Sequence, residues 1–219
     1  MTIIIAGQSV DVAVEKLNLC KRNISDISQL QYLTNLQYLA LEENTIIDLQ
    51  PLRALKKLNS LFLCHNQIND ITPVQELVDL TILSFWDNQI ADITALSNLT
   101  NLEQLGLGNN QISDLTPMSK MFNLVETDLE HNQISDVTPL ETLVGISGLY
   151  LSDNKIENIA PLKSLVNLSE LGLYQNRISD LSPLYSLKQL RKLELSNNPI
   201  RKEQVDDLRK ALPQCEIIY

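Results

Sequence analysis

Hydrophobic and polar positions along this chain repeat with a period of 22 residues. The unit that contains Asn66 shows the pattern, which reads L-x-x-L-x-L-x-x-N-x-I-x-x-I-x-x-L-x-x-L with Val74 at one apolar position. The L-x-L step has the two-residue period of a β-strand, and the later three-residue steps suit a tight 3₁₀-like turn. Each unit therefore predicts one short strand and a compact return segment.

One asparagine marks every unit at the same position. The eight members of this asparagine ladder are Asn44, Asn66, Asn88, Asn110, Asn132, Asn154, Asn176 and Asn198. So strict a period predicts a solenoid, in which stacked units join their apolar sides into one continuous core. We expect the ladder to be structural, because a side-chain amide in a tight turn can satisfy backbone groups that stacking would leave unpaired.

Three further positions carry a family resemblance. Isoleucine follows the asparagine by two places, aspartate by four and proline by seven. Aspartate occurs as Asp26, Asp48, Asp70, Asp92, Asp114, Asp136 and Asp180, with Asn158 as the exception, and proline is replaced at Gln29 and Ala95. These residues resemble the leucine-rich repeat family, in particular the 22-residue subclass of bacterial internalins. The resemblance implies an α/β repeat solenoid: a right-handed horseshoe with a parallel concave sheet and short 3₁₀ or irregular convex segments.

The repeats cover about residues 17–200, as eight to nine units, and we expect a single domain over 1–219 with caps at 1–16 and 201–219. Residues 2–14 alternate between apolar and polar, and we expect them to pair as or beside a terminal strand. Residues 201–212 predict an amphipathic helix that Pro213 ends, and 215–219 can add a final strand.

Function must lie on strand side chains that the repeat leaves free. Residues six, four and two places before each asparagine point away from the core, because side chains alternate along a strand. The first row is Lys16, Tyr38, Ser60, Ile82, Gln104, Glu126, Gly148, Glu170 and Lys192. The second row is Asn18, Ala40, Phe62, Ser84, Gly106, Asp128, Tyr150, Gly172 and Glu194. The third row is Cys20, Glu42, Cys64, Trp86, Gly108, Glu130, Ser152, Tyr174 and Ser196.

Aromatic and aliphatic residues cluster on this face. Tyr38, Phe62, Ile82 and Trp86 lie on adjacent units and predict one exposed apolar patch, here called the aromatic patch, and Tyr150 and Tyr174 lie further along. Exposed apolar patches usually mark interaction surfaces, and Trp and Tyr are favoured anchors. Chance scatter, or cover by neighbouring side chains, is the alternative interpretation.

Three carboxylates occupy one strand. Glu126, Asp128 and Glu130 fill all its outward positions, and we call them the acidic rung; Asp153 and Glu170 are expected close by. Like charges on one strand repel each other, so we favour a receptor for a basic protrusion, steered in by the electrostatic field. A solvated acidic face, screened by salt, is the alternative. The inward position of this strand is Thr127 instead of leucine.

Gly106 and Gly108 remove side chains between these two regions. A smooth notch for a bulky side chain of a partner is one interpretation, and sequence drift is another. The pair is a weak nucleotide signal, since no helix N-terminus follows it.

Composition and spacing exclude several functions. A net charge of −10 argues against nucleic acid and anionic membranes. No apolar run is long enough to insert into a membrane. No secretory signal is evident, so we expect a cytoplasmic protein as the sequence is written, or a secreted or cell-surface one if its natural N-terminus is missing. His65 and His131 lie three units apart, about 14 Å by strand spacing. We expect no enzyme, no cofactor and no metal.

The interpretation favoured by the sequence is a protein-protein interaction module that binds a protein ligand with a basic protrusion on its concave face. We expect a monomer, with a dimer through the concave face as the alternative. A regulatory subunit of an intracellular enzyme is the second hypothesis, because the repeats also resemble the leucine-rich-repeat regulatory subunit of type-1 protein phosphatase. A scaffold without a dedicated partner is the third.

Overall fold

A ten-stranded parallel sheet runs the length of the protein in the computed structural model, which describes residues 2–5 and 7–219. Its strands follow chain order, so each coil of the solenoid adds one strand next to the last. They are β3 (Lys16–Asn18), β4 (Tyr38–Ala40), β5 (Ser60–Phe62), β6 (Ile82–Ser84), β7 (Gln104–Gly106), β8 (Glu126–Asp128), β9 (Gly148–Tyr150), β10 (Glu170–Gly172), β11 (Lys192–Glu194) and β12 (Glu216–Ile218). The predicted horseshoe of parallel concave strands is confirmed.

Short 3₁₀ helices form the convex side opposite these strands. They span Ser28–Tyr32, Gln50–Ala54, Thr72–Val74, Thr94–Leu96, Thr116–Met118, Thr138–Leu140, Ala160–Ser164 and Ser182–Ser186. Before seven of them, the Asp four places after the ladder position accepts a hydrogen bond from the backbone N–H two residues later, at 2.8–2.9 Å. Asn158 makes the same bond at 2.9 Å, so the exception in sequence preserves the turn.

The asparagine ladder joins each coil to the preceding one. Asn66 Oδ1 accepts the N–H of Ile46, 3.0 Å away in the preceding coil, and its Nδ2 donates to the carbonyl of Leu41 in that same coil. Nδ2 also lies 3.1 Å from the carbonyl oxygen of Leu63 in its own coil. The other ladder residues repeat this arrangement. Because every bond runs backwards along the chain, the first coil needs no asparagine, and Arg22 stands there.

The strands pair residue for residue, which stacks the inward side chains in columns. Leu17, Leu39, Leu61, Leu83 and Leu105 are partners in successive strands and all are buried. The next member of this column is the threonine of β8, after which leucine resumes. The core is therefore one continuous apolar column between the sheet and the 3₁₀ helices.

The two ends are closed differently. At the N-terminus, β1 (Thr2–Ile5) and β2 (Gln8–Asp11) form an antiparallel hairpin that is a sheet of its own. The hairpin does not join the ten-stranded sheet, and it places Ile5 and Val10 over the end of the core. At the C-terminus, helix α1 (Lys202–Ala211) buries Val205 and Leu208, and β12 then pairs with β11. In the described ranges, no helix has the length and hydropathy needed to cross a bilayer.

Replacing a ladder residue should destabilise the fold strongly. In Asn66→Ala the buried N–H of Ile46 loses its partner, whereas the carbonyl of Leu41 keeps the hydrogen bond from Asn44 Nδ2 at 2.8 Å, and an orphaned buried group costs about 1–3 kcal/mol. We expect a loss of about 1–3 kcal/mol in the free energy of unfolding, measured by urea denaturation. Asn69→Ala is the matched control, since Asn69 is exposed three residues later. Equal effects of the two variants would contradict a structural role for the ladder.

Candidate functional site on the concave face

Two concavities divide the outward face of the sheet. The first has a volume of about 390 Å³ and the second about 250 Å³. The first is lined by Glu42, Phe62, Ile82, Leu83, Ser84, Trp86, Gln104, Leu105, Gly106, Glu126 and Asp128. The second is lined by Glu130, Tyr150, Ser152, Glu170, Leu171, Gly172, Lys192, Glu194 and Ile218. The candidate residues therefore form two neighbouring groups, and strand β8 contributes to the first while the residue two places after it lines the second.

Three members of the aromatic patch, Phe62, Ile82 and Trp86, form one wall of the first concavity, and all four members are half-buried. The rings of Tyr38 and Phe62 are 5.4 Å apart between centroids and tilted by 45°. Trp86 packs edge-on against His65, with 5.0 Å between ring centroids. Tyr38 and Phe62 thus pack on each other and Trp86 packs on His65, which fixes the ring positions and leaves part of Phe62 and of Trp86 facing the concavity.

The predicted notch at Gly106 and Gly108 is wrong, because side chains of the preceding strand lean across both glycines. A Cβ at position 108 would overlap the indole of Trp86 and lie within 2.8 Å of Asp128 Oδ1. A Cβ at position 106 would lie 2.7 Å from the hydroxyl of Ser84. The missing side chains therefore bring Trp86 and Asp128 together instead of leaving an open channel.

The acidic rung lies beside this wall. The backbone N–H of Glu130 donates to Asp128 Oδ1 at 3.0 Å, which holds that carboxylate against the sheet. Burial raises the pKa of Asp128, and the charges of Glu130 and Glu126 act in the same direction, while His131 opposes them. Across residues 2–5 and 7–219, the ion pairs include none of the three rung carboxylates.

Thr127 lies fully buried beneath the rung, in the leucine column. Its hydroxyl donates to the carbonyl of Leu105 at 3.0 Å, so the buried oxygen is satisfied. The bond ties β8 to β7 under the half-buried carboxylate of Asp128, which gives the polar core residue a structural account.

Tyr150 organises the second concavity. Its hydroxyl donates to Glu170 Oε2 at 3.0 Å. Burial, then this hydrogen bond and the charge of Glu170, raise the pKa of Tyr150 to about 12, so the phenol keeps its proton at neutral pH. Gly172 leaves space that the side chains of Ser152 and Glu130 approach. Carboxylates from different coils therefore surround one aromatic ring.

Two series of hydrogen-bonded side chains along the edge of the sheet were not predicted from the sequence. His131 Nδ1 lies 2.6 Å from Asp153 Oδ2, and Gln175 donates to the other Asp153 oxygen at 2.6 Å. His65 pairs with Asp87 at 2.7 Å in the same way, and Asn109 donates to Asp87. All these residues immediately precede the ladder position and have left-handed backbone with φ of 52–58°. The sequence did carry a signal for this conformation: the position before the ladder is occupied in these coils by His, Asp, Asn and Gln and not by glycine. Among non-glycine residues, Asn, Asp and His adopt the left-handed region most readily.

The remaining candidates are placed as follows. Tyr174 extends from the same turn region, and its hydroxyl accepts a hydrogen bond from Asn197 at 2.9 Å. The three cysteines are free, and burial raises the pKa of Cys64, which keeps that thiol protonated. In the part of the chain that the structure describes, no group of three or more His, Cys, Asp or Glu side chains could hold a metal ion.

Comparison with known proteins agrees with this architecture. The family model for leucine-rich repeats in two copies matches residues 34–76, 78–120 and 166–210. Internalin C2 of Listeria monocytogenes is 35% identical with a TM-score of 0.81, and the alignment covers 89% of this chain and 86% of that one. The internalin InlF of the same organism is 30% identical with a TM-score of 0.79, covering 97% and 69% respectively. A comparison with curated proteins gave no significant match.

The functional domain of InlJ from Listeria monocytogenes, which includes a cysteine ladder, shares the fold at 20% identity, with a TM-score of 0.59 over 94% of this chain and 53% of that one. In the present chain the ladder position is asparagine from Asn44 to Asn198. Fold and concave face together define a leucine-rich-repeat solenoid. The chain belongs to the leucine-rich repeat family and is internalin-like within it.

Neutralising Asp128 should stabilise the protein at pH 7. Its carboxyl pKa is raised in the folded state, so the charged form opposes folding, and the penalty disappears once the carboxyl is protonated in both states. Asp128→Asn keeps the acceptor for Glu130 N–H, and we expect it to raise the free energy of unfolding by up to about 1 kcal/mol at pH 7. Below the unfolded pKa of about 4, the two proteins should be equally stable. Urea unfolding at both pH values measures this, and an Asp128→Asn variant less stable at pH 7 would contradict it.

Proposed function

We propose that this chain is a protein-binding module whose concave face takes a protein ligand with a basic protrusion. Leucine-rich-repeat proteins of the internalin type are typically non-enzymatic binding modules, so a binding role is the general expectation for this fold. The observation that carries the finer proposal is the juxtaposition of a half-buried aromatic wall and three carboxylates that form no ion pair within residues 2–5 and 7–219.

The binding surface comprises the aromatic patch, the acidic rung and the second concavity. Its candidate contacts are Tyr38, Phe62, Ile82, Trp86, Glu126, Asp128, Glu130, Tyr150, Asp153, Glu170 and Tyr174. The rings are already packed, so little side-chain entropy is lost when a ligand covers them. The carboxylates raise the rate of encounter with a positively charged ligand and disfavour acidic competitors.

The same surface argues against a dimer through the concave face. Two identical acidic rungs would meet across a two-fold axis, where a self-complementary interface repeats the same patch on both copies. Like charges brought together in this way are destabilising. A monomer that uses this face for another protein is therefore the proposed state. The internalins among the structural neighbours support a binding module over the alternative of an enzyme regulatory subunit.

Removing the aromatic wall should abolish capture of the ligand. Immobilised protein and a Phe62→Ala, Trp86→Ala variant are exposed to the same cell lysates, after thermal melts confirm equal folding. We expect a protein to be retained by the first and its affinity to fall at least about thirtyfold in the second, the effect of removing a central anchor.

Tyr32→Ala, Phe122→Ala is the matched control, because Tyr32 and Phe122 are 56% and 61% exposed outside the concave strands. This variant should retain the same protein as the unmodified chain. Equal loss in both double variants, or retention by both, would place the ligand elsewhere and overturn the proposal.

Removing charge from the rung should act mainly on the association rate. With the captured ligand, Glu126→Gln, Glu130→Gln should lower the association rate constant about tenfold at low salt and flatten its salt dependence, since electrostatic steering is screened by ions. Surface plasmon resonance at two ionic strengths measures this. An unchanged salt dependence would show that the rung does not steer the ligand.

A further inference from the structure

In the first concavity, the aromatic ring of Trp86 and the carboxylate of Asp128 both lie close to Gly108. The indole of Trp86 and Oδ1 of Asp128 come from the coils on either side of the coil that contains Gly108, and both approach Gly108. No other residue type fits there without moving one of them, because even a methyl group would meet both. Gly108 therefore acts as the positioning residue for this pair.

The surroundings of the pair are apolar on one side and acidic on the other. Phe62 and Ile82 line the concavity on the side of the earlier strands, and Glu42, Glu126 and Asp128 are its charged residues. Its lining contains no lysine or arginine. His65 packs edge-on against the indole and is itself paired with Asp87. The indole is therefore fixed, and the concavity lacks a counterion of its own.

We propose that the first concavity is a subsite for an arginine side chain of the protein ligand, with the guanidinium against the Trp86 indole and paired with Asp128. A guanidinium is planar, stacks on aromatic faces and binds a carboxylate through two parallel hydrogen bonds. The apolar stem of arginine suits the wall formed by Phe62 and Ile82. A lysine ammonium is a more strongly hydrated point charge that offers no planar face to the ring.

This inference rests on the proposed function and adds the chemistry of one anchor. The stabilisation expected of Asp128→Asn agrees with it, because a carboxylate whose charge opposes folding gains a partner only when the ligand binds. The same carboxylate then lowers the stability of the free protein and contributes to binding in the complex.

Trp86 is the single tryptophan of the chain, so its fluorescence reports this subsite directly. The test is a titration with two capped tripeptides, Gly-Arg-Gly and Gly-Lys-Gly, at low ionic strength and neutral pH. We expect a saturable change in Trp86 emission with a Kd about tenfold lower for the arginine peptide, the upper range of cation–π differences at partly exposed sites. Asp128→Asn and Gly108→Ala should each weaken arginine binding about tenfold.

Glu203→Gln is the control for loss of one negative charge, since Glu203 is an exposed residue of helix α1, and it should bind as the unmodified chain does. Equal affinity for both peptides, no saturable change, or equal effects of Asp128→Asn and Glu203→Gln would each overturn the arginine subsite. Asp128→Asn keeps the shape of the side chain, so its result stands even if Gly108→Ala disturbs folding. A captured ligand that is lost from the Phe62→Ala, Trp86→Ala variant but bound normally by Asp128→Asn would leave the module proposal standing and remove only this inference.

Discussion

The hydrogen bonds of the asparagine ladder are the constraint on which the rest of this structure depends. Each amide satisfies a buried N–H and a carbonyl of the preceding coil, groups that no strand or helix could pair at that turn. One inserted or deleted residue would move the amide out of reach, which explains why the period of 22 never slips. The fixed period in turn sets the sheet register, and the register turns outward residues into straight rows. The candidate binding surface thus depends on hydrogen bonds made in the turn that follows each strand.

The repeat made most of the fold predictable from the sequence. Leucine columns, ladder and outward rows all follow from one period, because each coil contacts mainly its neighbours, and the C-terminal helix follows from its own amphipathic pattern. The N-terminal hairpin was not predicted, since alternation along residues 2–14 indicates a strand but does not name its partner. The edge pairs of His65 and His131 were missed because a left-handed backbone redirects the side chain away from the strand alternation. Periodicity therefore predicts the scaffold, and local backbone conformation decides the exceptions.

The candidate site was predictable as a set of residues but not as a shape. Trp86 and the acidic rung were assigned to the concave face, and their strands place them there. The glycines between them were misinterpreted, because a missing side chain was treated as empty space. In a parallel sheet with coils about 4.8 Å apart, large neighbours lean into such space. The chemistry of this face is accordingly set by combinations of adjacent coils, which no single repeat reveals.

Strand β8 carries residues that differ from those of the other strands in both its outward and its inward positions. Its outward residues carry charges that repel, and its inward residue replaces leucine by Thr127, whose hydroxyl needs the carbonyl of Leu105. Leucine in the other strands shows that the fold does not require threonine, and uncharged outward residues in β5 and β6 show that it does not require the acids. Features that cost stability in one coil and are absent from its neighbours indicate a demand other than folding. A solenoid makes this reasoning unusually direct, because every coil serves as an internal reference for the coil beside it.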